Sequence, residues 1–152
     1  MQIDQDKMQH PTSIIDPKAK IAEGVIVGPY SIIGPQVSIG SGTIIESHVI
    51  LRGPTKLGKN NHIFQFSTVG DGSPDKKYQG EPTKLIIGDD NIIREGVTIH
   101  RGTVQEKGIT KIGNRNLLLA YTHVAHDCEI EDDVVLTNQA ALAGAVKVGT
   151  GA

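Results

Sequence analysis

An aliphatic residue returns at every sixth position from Ile15 through Ile21, Val27, Ile33, Ile39, Ile45, Leu51, Leu57 and Ile63 to Val69. The beat resumes at Ile87, Ile93 and Ile99, and again from Ile112 through Leu118, Val124, Ile130, Leu136 and Leu142 to Val148. Glycine often follows it, as at Gly28, Gly34, Gly40 and Gly58, and four places on stands a small or β-branched residue such as Val25, Ser31, Val37 or Thr43. An α-helix repeats every 3.6 residues and a strand every two, so neither alone gives this period. A fixed hexapeptide period belongs to a β-helix, in which short strands turn corners and stack coil upon coil. The spacing predicts an all-β chain, a parallel β-helix shaped as a triangular prism.

Composition agrees with a thin prism. The 152 residues predict a single domain over 1–152. Hydrophobic residues make up 38% of the chain, yet aromatics are only 3% and tryptophan is missing. A narrow column of Ile, Val and Leu has no room for large rings, and each aliphatic side chain it buries contributes about 1.5–3 kcal/mol. The net charge of −2 offers no broad basic face and the few rings offer no stacking platform, which predicts no nucleic-acid partner. Cys128 is the sole cysteine and suits a reducing compartment. The polar stretch Met1 to Pro17 lacks a signal-peptide core, and no apolar run approaches the roughly 18 residues of a membrane span. The expected location is cytoplasmic, without membrane insertion.

Two segments break the beat. The stretch 71–84 (DGSPDKKYQGEPTK) is rich in Gly, Pro and charge, and 103–110 (TVQEKGIT) is shorter; both read as loops thrown out of the prism. If three hexads close one coil, residues one coil apart stack at about 4.8 Å. Val69, Ile99, Val124 and Leu142 then share a face from which both loops emerge. Arg101, His126 and Gly144 hold equivalent places on successive coils, as do Gly102, Asp127 and Ala145. A site is expected there.

The segment THVAHDC (122–128) carries the candidate chemistry. Val124 and Cys128 point inward, which leaves His126 at a corner. A histidine held by a carboxylate can act as a general base near neutral pH. His126 and Asp127 form such a dyad only if the corner bends them together, because neighbouring strand residues point oppositely. Cys128 reads as packing rather than as a nucleophile. Arg101 reads equally as a structural ion-pair partner and as a ligand contact, and the loop lysines could meet an anionic phosphate.

The stretches HPTSIIDP (10–17), VGPYSIIGP (27–35), DKKYQGEPT (75–83), IREGVTIHRGTVQ (93–105), NLLLAYTHVAHDC (116–128) and LAG (142–144) make the chain resemble the UDP-N-acetylglucosamine 3-O-acyltransferases that begin lipid A synthesis. The resemblance covers essentially the whole chain. It implies a left-handed parallel β-helix, a homotrimer with sites between subunits, and UDP-N-acetylglucosamine and an acyl carrier protein as partners. By the same resemblance His126 is the general base that activates the sugar 3-hydroxyl, supported by Asp127, and the Gly144 N–H is the oxyanion donor. Asp75, Lys77, His100 and His123 would contact substrate, and no metal, cofactor or covalent intermediate is implied. A zinc site at His100, His123 and His126 fits less well: the γ-class carbonic anhydrases, also hexapeptide β-helices, place their close His pair five apart, whereas His123 and His126 are three apart.

Two departures bear on activity. Position 145 is Ala where the family pattern has a substrate-contacting His, and the sequence stops at Ala152 in mid-hexad. The family continues into further coils and a helical C-terminal region, which supply uridine contacts, acyl-chain measurement and part of the carrier-protein surface. Impaired transfer is therefore expected of these 152 residues alone. A sister nucleotide-sugar N-acyltransferase and a non-catalytic β-helical scaffold are the alternatives.

Overall fold

The structure is a computed structural model that describes residues 8–152. The chain winds as a left-handed parallel β-helix with three parallel sheets as the prism faces. Sheet I stacks the strands Ile14–Ile15, Ile32–Ile33, Ile50–Leu51, Thr68–Asp71, Thr98–His100, His123–Val124 and Ala141–Leu142. Sheet II runs from Lys20–Ile21 to Lys147–Val148, and sheet III from Ile26–Val27 to Val135–Leu136. The chain visits them in the order I, II, III, so one circuit is one coil. Before the beat begins, the Val27 N–H donates to the Met8 carbonyl and the His10 N–H to that of Val27. The expected lead-in thus already pairs with the prism from residue 8, and residues 1–7 lie outside the described residues.

The beat residues fill the prism. Val27, Ile45, Ile63, Val69, Ile93, Ile99, Leu118 and Val124 are completely enclosed. The slot four places after a beat residue is also buried, and three times it holds asparagine. Asn61, Asn91 and Asn116 form a ladder in which the Asn91 N–H donates to Asn61 Oδ1 and the Asn116 N–H to Asn91 Oδ1, each at 2.9 Å. Side-chain amides thus satisfy backbone donors at a corner that would otherwise be buried unpaired.

The corners need a left-handed backbone step. Non-glycine residues occupy it at Tyr30, Gln36, His48, Asn60, Phe66, Asp90, Arg115, Tyr121, Asp127, Asp133, Gln139 and Ala145. Such a step costs an L-residue roughly 1–2 kcal/mol, which the stacked coils offset with their ladders.

Both insertions leave sheet I and return in sheet II, so they share one corner as expected. The first connects Thr68–Asp71 to Lys84–Ile87 and the second connects Thr98–His100 to Ile109–Ile112. Both are shorter than their sequences suggested: Asp71 and Lys84 belong to the strands flanking the first, and the second is cut at its end. Ile109 and Thr110 belong to the returning strand, where Thr110 pairs with Leu85 and is fully buried.

Candidate active site

His126 and Asp127 form the corner between the strands His123–Val124 and Glu129–Ile130. Asp127 takes the left-handed step at φ 61° and is completely buried. This bend resolves what strand alternation left open. The carboxylate turns back onto its neighbour, and His126 Nδ1 lies 2.9 Å from Asp127 Oδ2. The same oxygen accepts the Thr103 N–H at 2.9 Å and the Thr103 hydroxyl at 2.7 Å. Burial pushes the Asp127 carboxyl up, but the hydrogen bonds from His126 and Thr103 outweigh it and hold it below its usual value. An ionised carboxylate only accepts, so His126 Nδ1 donates this hydrogen bond and Nε2 is the ring nitrogen turned away from Asp127.

Thr103, from the second loop, is the residue sequence reasoning missed. It sits within the quoted HRGTVQ stretch, yet nothing in the spacing pairs it with Asp127. Thr110 completes the seat, its Oγ1 accepting the Asp127 N–H at 2.8 Å. Gly102 makes the close approach possible, because a Cβ there would fall against the backbone of Gly108 and Ile109 and 2.7 Å from Asp127 Oδ1.

Gly144 stands one coil above His126, as its spacing predicts. The Ala145 N–H donates to the His126 carbonyl at 2.9 Å. A Cβ on Gly144 would lie 2.5 Å from both Cε1 and Nε2 of the imidazole, so only glycine lets the ring lie flat against that backbone. Among the described residues the Gly144 N–H donates to no acceptor.

The other predicted residues gather nearby. Asp75 Oδ2 lies 3.8 Å from His126 Nε2. Asp75 Oδ1 accepts the Lys77 N–H at 2.8 Å, which folds the loop tip into a local turn. Lys77 is exposed, and its carbonyl accepts Gln105 Nε2 at 3.2 Å, which joins the two loops. His123 Nδ1 is 2.7 Å from Thr98 Oγ1. The His100 ring meets that of His123 edge-on, with centroids 4.9 Å apart, and its Nδ1 is buried without a partner. Burial lowers the pKa of both histidines, and the neighbouring His123 lowers that of His100 further. They stay neutral at pH 7. Cys128 is buried, donates to the Ala143 carbonyl at 3.1 Å, and has its thiol pushed up by burial. It packs, as its inward position predicts.

The cluster thus joins an oriented imidazole, an unpaired backbone donor beside it, two neutral histidines and a carboxylate. Such a set can take a proton from a hydroxyl and stabilise an oxyanion.

Comparison with known proteins narrows the field. A family model described as the GMPPB C-terminal domain matches residues 9–106. Acyl-[acyl-carrier-protein]–UDP-N-acetylglucosamine O-acyltransferase from Saccharophagus degradans is 64% identical over 132 residues, covering 87% of this chain and 51% of the relative. The chain belongs to the GMPPB C-terminal domain family, and it matches an N-terminal portion of these O-acyltransferases. The Stutzerimonas stutzeri relative of the same name is 59% identical, over 91% of this chain and 54% of its own length. LpxA from Acinetobacter baumannii superposes with a TM-score of 0.91 at 53% identity, over 92% of this chain and 54% of that one. The chain spans about half the length of the curated relatives it matches.

Proposed function

We propose that this chain carries the proton-transfer and oxyanion machinery of an acyltransferase that moves a hydroxyacyl group from an acyl carrier protein to the 3-hydroxyl of UDP-N-acetylglucosamine, in lipid A biosynthesis. The observation that carries the reading is the His126–Asp127 pair, held at 2.9 Å beneath the open N–H of Gly144. In this mechanism His126 Nε2 takes the hydroxyl proton as the sugar oxygen attacks the thioester carbonyl. The Gly144 N–H receives the negative charge that develops on the carbonyl oxygen. Asp127 stabilises the imidazolium, which then returns the proton to the departing carrier-protein thiolate as the carbon–sulfur bond breaks. Asp75, Lys77, His100 and His123 hold the acceptor sugar, and the neutral histidines are hydrogen-bonding groups rather than cations.

The active unit in this reading is a cytoplasmic homotrimer. Ile14, Ile32, Ile92 and Val135 on the outer faces of sheets I and III, with Tyr30, Phe66 and Tyr121 at the corner between, stay exposed. That much apolar surface suits burial against further copies. Among the described residues no helix is long and apolar enough to cross a membrane.

Mass-spectrometric detection of acyl-sugar product tests the reading, with this chain alone and fused to the second half of the Acinetobacter relative. The fusion should transfer the acyl group and the chain alone should bind UDP-N-acetylglucosamine weakly. A fusion that forms trimers yet makes no product would overturn it.

A further inference from the structure

The first loop is tied down at a place the acyl-transfer chemistry does not require. Arg101 follows the strand Thr98–His100 directly, and among the described residues its guanidinium makes no ion pair. It reaches instead for neutral acceptors of the first loop. Nη1 donates to the Gly70 carbonyl at 2.5 Å and Nη2 to the Tyr78 hydroxyl at 2.7 Å, while its backbone N–H donates to the Asp71 carbonyl at 2.9 Å. The Tyr78 hydroxyl donates onward to the Glu81 carbonyl at 2.8 Å. The tyrosine ring is seated on Gly72, where a Cβ would lie 2.6 Å from ring Cε1. One side chain thus holds the strand the loop departs from, at Gly70, and the loop just past its tip, at Tyr78. Asp75 stands between those grips, with its carboxylate 3.8 Å from His126 Nε2.

Partly withdrawing a cation from water to bond neutral groups is unfavourable unless the contacts are good, and hydrogen bonds from a charged donor are the strong kind. Apart from the buried Gly70 carbonyl at the register shift of sheet I, these side-chain contacts lie outside the coil ladders. We propose that Arg101 and Tyr78 are positioning residues, a two-point clamp that fixes the first loop so that Asp75 faces His126 across the acceptor-sugar site. The functional half of this proposal rests on Asp75 contacting the sugar; the mechanical half does not.

Tyr78→Phe keeps the ring over Gly72 and removes only the hydroxyl. Arg101→Lys keeps the charge and removes the fork. In the intact chain, hydrogen exchange at the Lys77 and Tyr78 amides should speed up about tenfold in either variant, with strand amides unchanged. In the active acyltransferase carrying this β-helix, KM for UDP-N-acetylglucosamine should rise about tenfold while kcat stays within about threefold. Tyr78→Phe should raise KM no further once Asp75→Asn is in place. Unchanged loop exchange would overturn the clamp. Faster exchange with an undiminished KM effect in the Asp75→Asn background would overturn its action through Asp75. An unmodified enzyme without transferase activity would refute the catalytic reading instead, and exchange alone would then decide the clamp.

Discussion

Gln36 and Asp127 fill the same left-handed slot at the same corner of the prism, several coils apart, with φ of 58° and 61°. Gln36 is exposed, and Asp127 is wholly buried. The backbone is the same and the surroundings differ. Below the loops the corner meets solvent, and its side chain can be anything that tolerates the step. Beside Asp127 the second loop supplies the Thr103 hydroxyl and N–H, and those donors turn the carboxylate inward onto His126. The corner geometry is general to the fold; the dyad exists because an insertion encloses one copy of it.

The largest expected effect comes from His126. His126→Ala should lower acyl transfer by about 10²–10⁴, the range for losing a general base, and leave the melting temperature nearly unchanged. Gln36→Ala, at the same corner below the loops, is the control and should leave kcat intact. Transfer within a few-fold of the parent in His126→Ala would remove the distinction between the corners.

Asp127→Ala against Gln36→Ala sharpens the comparison at the level of stability. Removing the carboxylate leaves the Thr103 donors and His126 Nδ1 without their acceptor, at a cost of about 1–3 kcal/mol. Removing the exposed Gln36 side chain should stay within about 0.5 kcal/mol. Urea melts of the two variants measure this, and equal midpoints would mean that the second loop does not bury the slot in solution.

The pH dependence is smaller and has two windows. The folded pKa values of His100 and His123 lie below the ordinary 6.5. The unfolded chain therefore binds more protons as pH falls from about 6.5 toward the folded values, and stability declines across that window before levelling off. The Asp127 carboxyl is depressed below 3.8, so its contribution is complete above that value and is lost as pH falls through the folded one. Thermal melts from pH 7.5 to 3 should show both steps, and the double variant His100→Gln/His123→Gln should flatten the upper one.

The smallest change is expected at Ala145, the next occupant of the slot, which is exposed at φ 61°. Ala145→His should strengthen nucleotide-sugar binding by roughly tenfold for each 1.4 kcal/mol regained, as read by titration calorimetry. No gain would mean that position 145 does not face the sugar.

The six-residue beat made much of this legible. It assigned Val69, Ile99, Val124 and Leu142 to one sheet, put both loops at one corner, and set Gly144 over His126. What it could not reveal depends on contacts between segments that no period relates. The turn of Asp127 onto His126 needs Thr103 from a loop outside the repeat. The choice between roles for Arg101 needed the position of Tyr78. Thr110 escaped notice because the loop's end was judged from composition, whereas strand register with Leu85 decides it. The asparagine ladder sat in a slot whose small, inward character was clear, but stacking of that one residue type three times over only shows in space.

Because both insertions begin and end at one corner, the prism is indifferent to their length. Lengthening a loop there adds little closure entropy, since that entropy grows only with the logarithm of length, whereas slipping a single residue into a strand would turn its inward side chains outward. Length can thus vary at this corner, where the histidines lie, without disturbing the stack. A lineage built on this scaffold can exchange the enclosure over its histidine corner, and with it the molecules admitted, while the rungs beneath stay in step.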